Sequence, residues 1–248
     1  MIRINKILLK LLISILILAI LIPNFMPMST VLSADAMDYD FTDELDEDRT
    51  GIGFKWVAET KTLTITGIKN PEAELIVPSG TKIDIQGNEE NIIKYIRSDN
   101  GAITIKGNKE AILKITGFYE YSDIGTGKEY YASIICGSLY VNSGNIKIET
   151  DNNNPYRAKT TFGIRVYNNF ILNNGNISIN IPSSTVSSNA INAGYQVGKI
   201  EINGGKIDAT SLGYTVNTEG YNARGSTNVY GKITINGGEV KFTSLMRN

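Results

Sequence analysis

Residues 200–210, IEINGGKIDAT, and residues 233–243, ITINGGEVKFT, carry one pattern twice: an alternating strand, an Asn-Gly-Gly corner and a second alternating strand. The pattern stands again at 139–149 (LYVNSGNIKIE) and 170–180 (FILNNGNISIN). Their common glycines, Gly144, Gly175, Gly205 and Gly238, are spaced 31, 30 and 33 residues apart, which marks a repeat architecture. Period-two alternation in every copy argues against helix. It puts Leu139 and Val141, Phe170 and Leu172, Ile200 and Ile202, Ile233 and Ile235 on one interior face. The second strands add Ile146 and Ile148, Ile177 and Ile179, Ile207 and Ala209, Val240 and Phe242.

A third strand precedes each pair, most clearly at 133–137 (SIICG), 163–166 (GIRV) and 190–193 (AINA). Three short strands make one coil of roughly 30 residues. A single coil cannot bury its apolar side, so stacking at about 4.8 Å is what closes a core and completes the backbone ladder. The expected fold is all-β, a parallel β-helix or β-solenoid, spanning 51–248. Segments 75–86 and 102–116 read as degenerate earlier coils. At 54–67, FKWVAETKTLTITG reads as strand, tight turn and strand, an N-terminal cap at about 51–70 that shields strand edges and packs Trp56, Leu63 and Ile65. The last coil ends near Phe242, and its edge is expected to be open to self-association.

The composition agrees: 37 Ile, 26 Asn and 24 Gly supply β-branched strand formers and residues that tolerate left-handed turns. The chain has no histidine and one cysteine, Cys136, which excludes imidazole-based triads, His-ligated zinc and disulfide frameworks. A formal net charge of −1 gives no sign of nucleic acid. Residues 1–36 combine basic MIRINK, the apolar run 7–22 and the small-x-small pattern Ala34-Asp35-Ala36, a secretory signal peptide with the mature start near Met37. An uncleaved membrane anchor is the alternative; both place the remainder outside the cytoplasm. Residues 37–50 are expected to be an acidic, solvated spacer. Counted from Asp38, the sixth and twelfth positions hold Asp43 and Arg49, so the run fails as an EF-hand loop.

Candidate functional residues divide into columns and loops. Asn142, Asn173, Asn203 and Asn236 share one corner position, where stacked amides hydrogen-bond between coils. Cys136 takes an inward position and reads as core. Outward columns (Lys147, Ser178, Asp208, Lys241, and Tyr140, Ile171, Glu201, Thr234) contain no carboxylate pair suited to glycoside hydrolysis. The loops at 117–131, 150–161, 182–189 and 211–221 emerge from one edge and carry Tyr119, Tyr121, Tyr130, Tyr131, Tyr156, Arg157, Tyr214 and Tyr221. Aromatic faces with nearby hydrogen-bonding groups suit sugars, so these eight residues are the expected carbohydrate-binding set. No metal-ligating set is identified.

The run FKWVAETKTLTITG with AITIKGN, SIICGSLYVNSGNIKIE, GKIEINGGKIDAT and GKITINGGEVKFT resembles a family of secreted clostridial carbohydrate-binding domain proteins, over about residues 51–243. The shared motifs are W-x-A-x-T-K-T-L-T-I and the I-x-I-N-G-G corner. The resemblance implies a right-handed, single-stranded β-helix related in shape to pectate lyases. It also implies non-catalytic binding of plant cell-wall or acidic polysaccharide, with calcium as a companion. No binding or calcium residue of the family is matched here. β-Helix hydrolases that cleave pectin use a Gly-His-Gly segment, which a chain without histidine lacks. The expected function is non-catalytic extracellular polysaccharide binding. A β-helix lyase or hydrolase, and a structural surface module or adhesin, are the alternatives.

Overall fold

The computed structural model describes residues 39–42, 47–122, 128–150, 160–181, 187–194, 198–213, 215–221 and 228–245. The expected leader at 1–36, and Tyr156, Arg157 and Tyr214, lie outside the described residues; of Tyr221 only the backbone is described.

Three sheets hold almost every strand. Sheet I joins β1 (Tyr39–Asp40), β5 (Glu74–Ile76), β8 (Tyr95–Arg97), β12 (Glu129–Cys136), β15 (Thr160–Val166), β18 (Ser187–Ala193) and β21 (Val216–Asn217), with β11 (Tyr119–Ser122) antiparallel on β12. Sheet II runs β2 (Arg49–Gly51), β3 (Phe54–Val57), β4 (Thr62–Ile65), β6 (Thr81–Ile85), β9 (Ala102–Gly107), β13 (Ser138–Val141), β16 (Asn169–Leu172), β19 (Lys199–Ile202) and β24 (Lys232–Ile235). Sheet III joins β7 (Glu90–Ile93), β10 (Ile112–Ile115), β14 (Asn145–Glu149), β17 (Asn176–Ile181), β20 (Lys206–Ser211) and β25 (Glu239–Ser244). A hairpin of β22 (Glu219–Tyr221) and β23 (Asn228–Tyr230) stands apart.

Successive triples, from β5–β6–β7 through β18–β19–β20, place one strand in each sheet, and β21, β24 and β25 do so once more. Pairing between triples is parallel. The chain is therefore all-β with parallel sheets, compatible with a β-solenoid. The segment 90–97, which carries no strand in the reading of the sequence, supplies β7 and β8.

The register puts the repeat positions above one another: Leu139, Phe170, Ile200 and Ile233 in one column, Ile146, Ile177, Ile207 and Val240 in another. These side chains are buried until the last coil, where Ile233 and Ile235 are 44% and 53% exposed because no described strand lies beyond β24. At the corners, Gly175 has φ +102°, and a Cβ there would stand 2.5 Å from the carbonyl oxygen of Gly144. Glycine is required twice over, by conformation and by the approach of the coil below. Beside it the asparagine amides form the expected ladder: Asn173 donates to Asn142 at 2.8 Å, Asn203 to Asn173 at 2.9 Å and Asn236 to Asn203 at 2.7 Å.

The N-terminal end is covered by antiparallel β2, β3 and β4, with Trp56 fully buried as expected. The reading of 37–50 as a solvated spacer is corrected at 39–42 and at Arg49 and Thr50, which are paired or packed; residues 37–38 and 43–46 lie outside the described residues. β1 pairs with β5, and Tyr39 and Phe41 are buried; Phe41 packs on Trp56 at 5.2 Å and edge-on against Phe54 at 5.5 Å. Aromatic burial at the open end of the first coil outweighs the solvation of the acidic neighbours. Two of those acids serve the backbone: Asp40 accepts from the Thr42 N–H at 2.8 Å and Asp48 from that of Ala58 at 2.9 Å.

Candidate functional site: an aromatic strip on sheet I

The outer face of sheet I owes its chemistry to a slip in strand alternation. In β12, Ile134 and Cys136 join the main core while Ile135 points the other way, but Tyr131 also joins the core and Ala132 does not. The inward parity therefore changes at Ser133. β15 slips at the matching Gly163, where Phe162 faces out and Ile164 in. A Cβ on Gly163 would meet the Ala190 carbonyl oxygen at 2.7 Å. An irregularity of this kind re-aims the side chains before it. It sends Tyr130 and Phe162 outward.

The expected loop 117–131 is instead a hairpin, in which β11 pairs with the start of β12 and sets Tyr121 opposite Tyr130. Alternation puts Tyr119 and Tyr121 on one face of β11, with ring centroids 6.4 Å apart and planes 5° from parallel. Tyr121 meets Tyr130 at 5.7 Å and 28°, Tyr119 meets Tyr95 at 5.3 Å, and Tyr130 meets Phe162 at 6.0 Å. Five rings thus form one strip across three coils. Tyr95 and Phe162 are buried at its ends, whereas Tyr119, Tyr121 and Tyr130 are half-buried.

Tyr131 is the correction to the expected set. Its side chain is 4% exposed and packs in the main core, because the parity slip turns it away from Tyr130. The structure brings together Tyr119, Tyr121 and Tyr130 and removes Tyr131 from the surface.

Cations line the strip. The Arg97 guanidinium lies 4.5 Å from the Tyr119 ring centre and holds Asp99 through Nε at 2.8 Å and Nη2 at 2.9 Å. The Asp99 hydrogen bonds, first among the causes, raise the pKa of a guanidinium that is already always charged. Lys94 and Tyr95 both donate to Glu74, at 2.8 and 2.5 Å. Burial opposes ionisation of Glu74, but these two donors hold its carboxyl below the usual range. Burial first, and then the hydrogen bond to Glu74, push the Tyr95 phenol far up. Arg165 lies 5.3 Å from the Phe162 ring centre and 5.9 Å from that of Tyr167.

Tyr95, Arg97, Phe162, Arg165 and Tyr167 were missed as site residues. Arg165 was legible as the outward position of GIRV; Tyr95 and Arg97 required recognising β8 in NIIKYIR, where the corner at Lys94 hides the alternation.

Several carboxylates of sheets II and III are held by lysines: Asp84 by Lys106 at 2.8 Å, Glu149 by Lys147 at 2.8 Å and by Lys114 at 3.3 Å, Glu239 by Lys206 at 2.8 Å. Among the described residues no three Asp, Glu or Cys side chains gather to hold a metal ion. Cys136 is buried, and desolvation pushes its thiol well above the ordinary range, as suits a core residue. No family model, curated protein or solved structure matches the chain.

Proposed function

We propose that the chain is an exported, right-handed, single-stranded parallel β-helix that binds polysaccharide along the outer face of sheet I without cleaving it. The observation that carries the reading is the half-exposed, near-parallel run Tyr119, Tyr121 and Tyr130, flanked by the guanidinium of Arg97. Sugar rings stack their C–H faces on such rings while charged and amide donors engage hydroxyls. Handedness is supported by a general rule, since parallel crossover connections are right-handed in about 98% of cases. Export is supported by the leader-like segment 1–36.

A structural surface module is the second reading. It is favoured by the burial of Tyr131 and by the way the tyrosines of β11 pack on Ala132, Ile135 and Phe162.

A pull-down of the chain from Met37 on insoluble polysaccharides, with calcium and with EDTA, tests both. Reducing ends and unsaturated products are followed in the same tubes. Retention without product supports the binding reading; product overturns the non-catalytic part, and no retention leaves the structural module.

A further inference from the structure

The apolar interior opens to solvent at the last coil. Among the described residues the large exposed apolar side chains are Ile52, Ile233, Ile235 and Leu245, and the last three lie on or just after this coil. Val240 and Phe242, the interior positions of β25, are only partly buried. The opposite end of sheet II is closed, since β2 and β3 run antiparallel beyond β4 and Trp56 is fully buried among them. An open edge strand is ordinarily blunted by a proline, a bulge or a charge pointing inward. β24 reads Lys-Ile-Thr-Ile in unbroken register with β19, and both of its inward positions are isoleucine.

The backbone of β24 serves two sides. The Lys232 N–H donates to the Gly198 carbonyl at 3.1 Å and the Asn236 N–H to that of Ile202 at 2.8 Å. Alternate residues of a parallel ladder direct both backbone groups the same way, so Lys232, Thr234 and Asn236 bond to β19. Ile233 and Ile235 direct theirs to the open edge, where no described strand receives them. An N–H and a C=O on each of two residues, two positions apart, is what one strand of an antiparallel ladder offers another. β24 turned end for end about Thr234 supplies the match. Ile233 then stands opposite Ile235 of a second copy, Ile235 opposite its Ile233, and each pair exchanges two hydrogen bonds.

We propose that the chain forms a two-fold dimer through its last coil, with β24 pairing antiparallel to β24 of a second copy about Thr234. The side chains agree with this register on both faces. Toward the interior the isoleucines meet, and each core continues into the other. On the outer face Thr234 meets its own copy, a β-branched cross-strand pair. Lys232 falls opposite Asn236, the end of the corner ladder, whose amide donates to Asn203 at 2.7 Å and whose oxygen is free to accept from an ammonium. An axis placed between residues would set inward side chains against outward ones. An axis at Ile233 or Ile235 would set the other isoleucine against Gly231 or Gly237. Head-to-tail stacking fits worse, because it lays the apolar edge on β2, whose Arg49, Thr50 and Gly51 carry no apolar side chain. The matched surface is the strand's own, as a two-fold interface requires.

Sedimentation equilibrium of the chain from Met37, over a wide range of protein concentration, is expected to show monomer passing to dimer and stopping there. The melting temperature should rise with concentration. Ile235→Lys puts a charge into the joint interior and should raise the dissociation constant about a hundredfold, since the change enters once from each copy. At concentrations where both are monomeric, variant and parent should melt together. Thr234→Cys tests the register, because it sets two thiols across the axis in a non-hydrogen-bonded pair, where Cα atoms about 4.5 Å apart suit a disulfide. Oxidised glutathione, itself reduced to two thiols, should convert Thr234→Cys to a covalent dimer. Glu201→Cys, one coil below in the same column, should stay uncrosslinked, and the native Cys136 is buried.

A monomer at every concentration overturns the proposal. So does assembly that grows past two copies, which is head-to-tail stacking, and so does a dimer left unchanged by Ile235→Lys, which places the contact elsewhere on the molecule. A dimer that Thr234→Cys does not cross-link overturns the pairing about Thr234. The unaltered chain and the cysteine variants decide the matter even if Ile235→Lys fails to fold. Polysaccharide enters none of these measurements, so the dimer and the binding reading fail separately.

Discussion

Tyr119 and Tyr121 stand two residues apart on β11 with their ring planes 5° from parallel, and Tyr121 passes the stack on to Tyr130 across the hairpin. The consequence is a difference between neighbours in sequence. Replacing Tyr119, Tyr121 and Tyr130 together by Ala is expected to reduce polysaccharide retention by tenfold or more while the fold persists. Tyr131→Ala, one residue away, is expected to destabilise by about 3 kcal/mol because it empties a core position. Denaturant unfolding beside a pull-down separates the two effects.

Interior positions differ by coil. Ile202 is fully buried, whereas Ile235, the next residue in its column, is 53% exposed. Ile202→Ala is expected to cost about 2–5 kcal/mol and Ile235→Ala under about 1 kcal/mol, read from urea midpoints at constant m-value.

The corner ladder makes a separate prediction. Asn173 donates to Asn142 and accepts from Asn203, so Asn173→Ala removes two amide bonds, at a cost of about 1–2 kcal/mol given their exposure. Gly175→Ala is expected to cost more, because φ +102° and the Gly144 carbonyl oxygen at 2.5 Å both oppose a methyl group. Thermal unfolding of the two variants should rank them in that order.

Acid should weaken the strip's support before it unfolds the chain. The Glu74 carboxyl is held below its ordinary pKa by Lys94 and Tyr95 against the cost of burial. A depressed carboxyl stabilises above the unfolded value, near 4.3, and that contribution is lost as pH falls through the lower folded value. Stability is expected to decline on acidification below about pH 4.3, and Glu74→Gln should flatten the decline. Unfolding curves at a series of pH values check it.

Much of the architecture was legible from one pattern. The I-x-I-N-G-G corner states which residues face in, where the chain bends and how often, and the pairing of Leu139, Phe170, Ile200 and Ile233 follows that count. β7 and β8 were not legible, since Asn91, Ile93, Tyr95 and Ile96 lie across a corner without glycine and the alternation breaks at Lys94. The candidate site was half legible. Tyrosines concentrated between Gly117 and Tyr131 marked the region, but nothing in EYYASIIC distinguishes Tyr130 from Tyr131.

By itself the sequence determined the strand periodicity, the coil length and the glycine corners, because these depend on local alternation and on backbone conformations that few residues adopt. Only the tertiary structure decided which tyrosines face outward, that Phe41 closes the first coil, and that Arg165 lies beside Asn192 in register. Each depends on how one coil rests on another: a parity slip at Ser133 and Gly163, an open end needing apolar cover, and a register joining residues 27 positions apart.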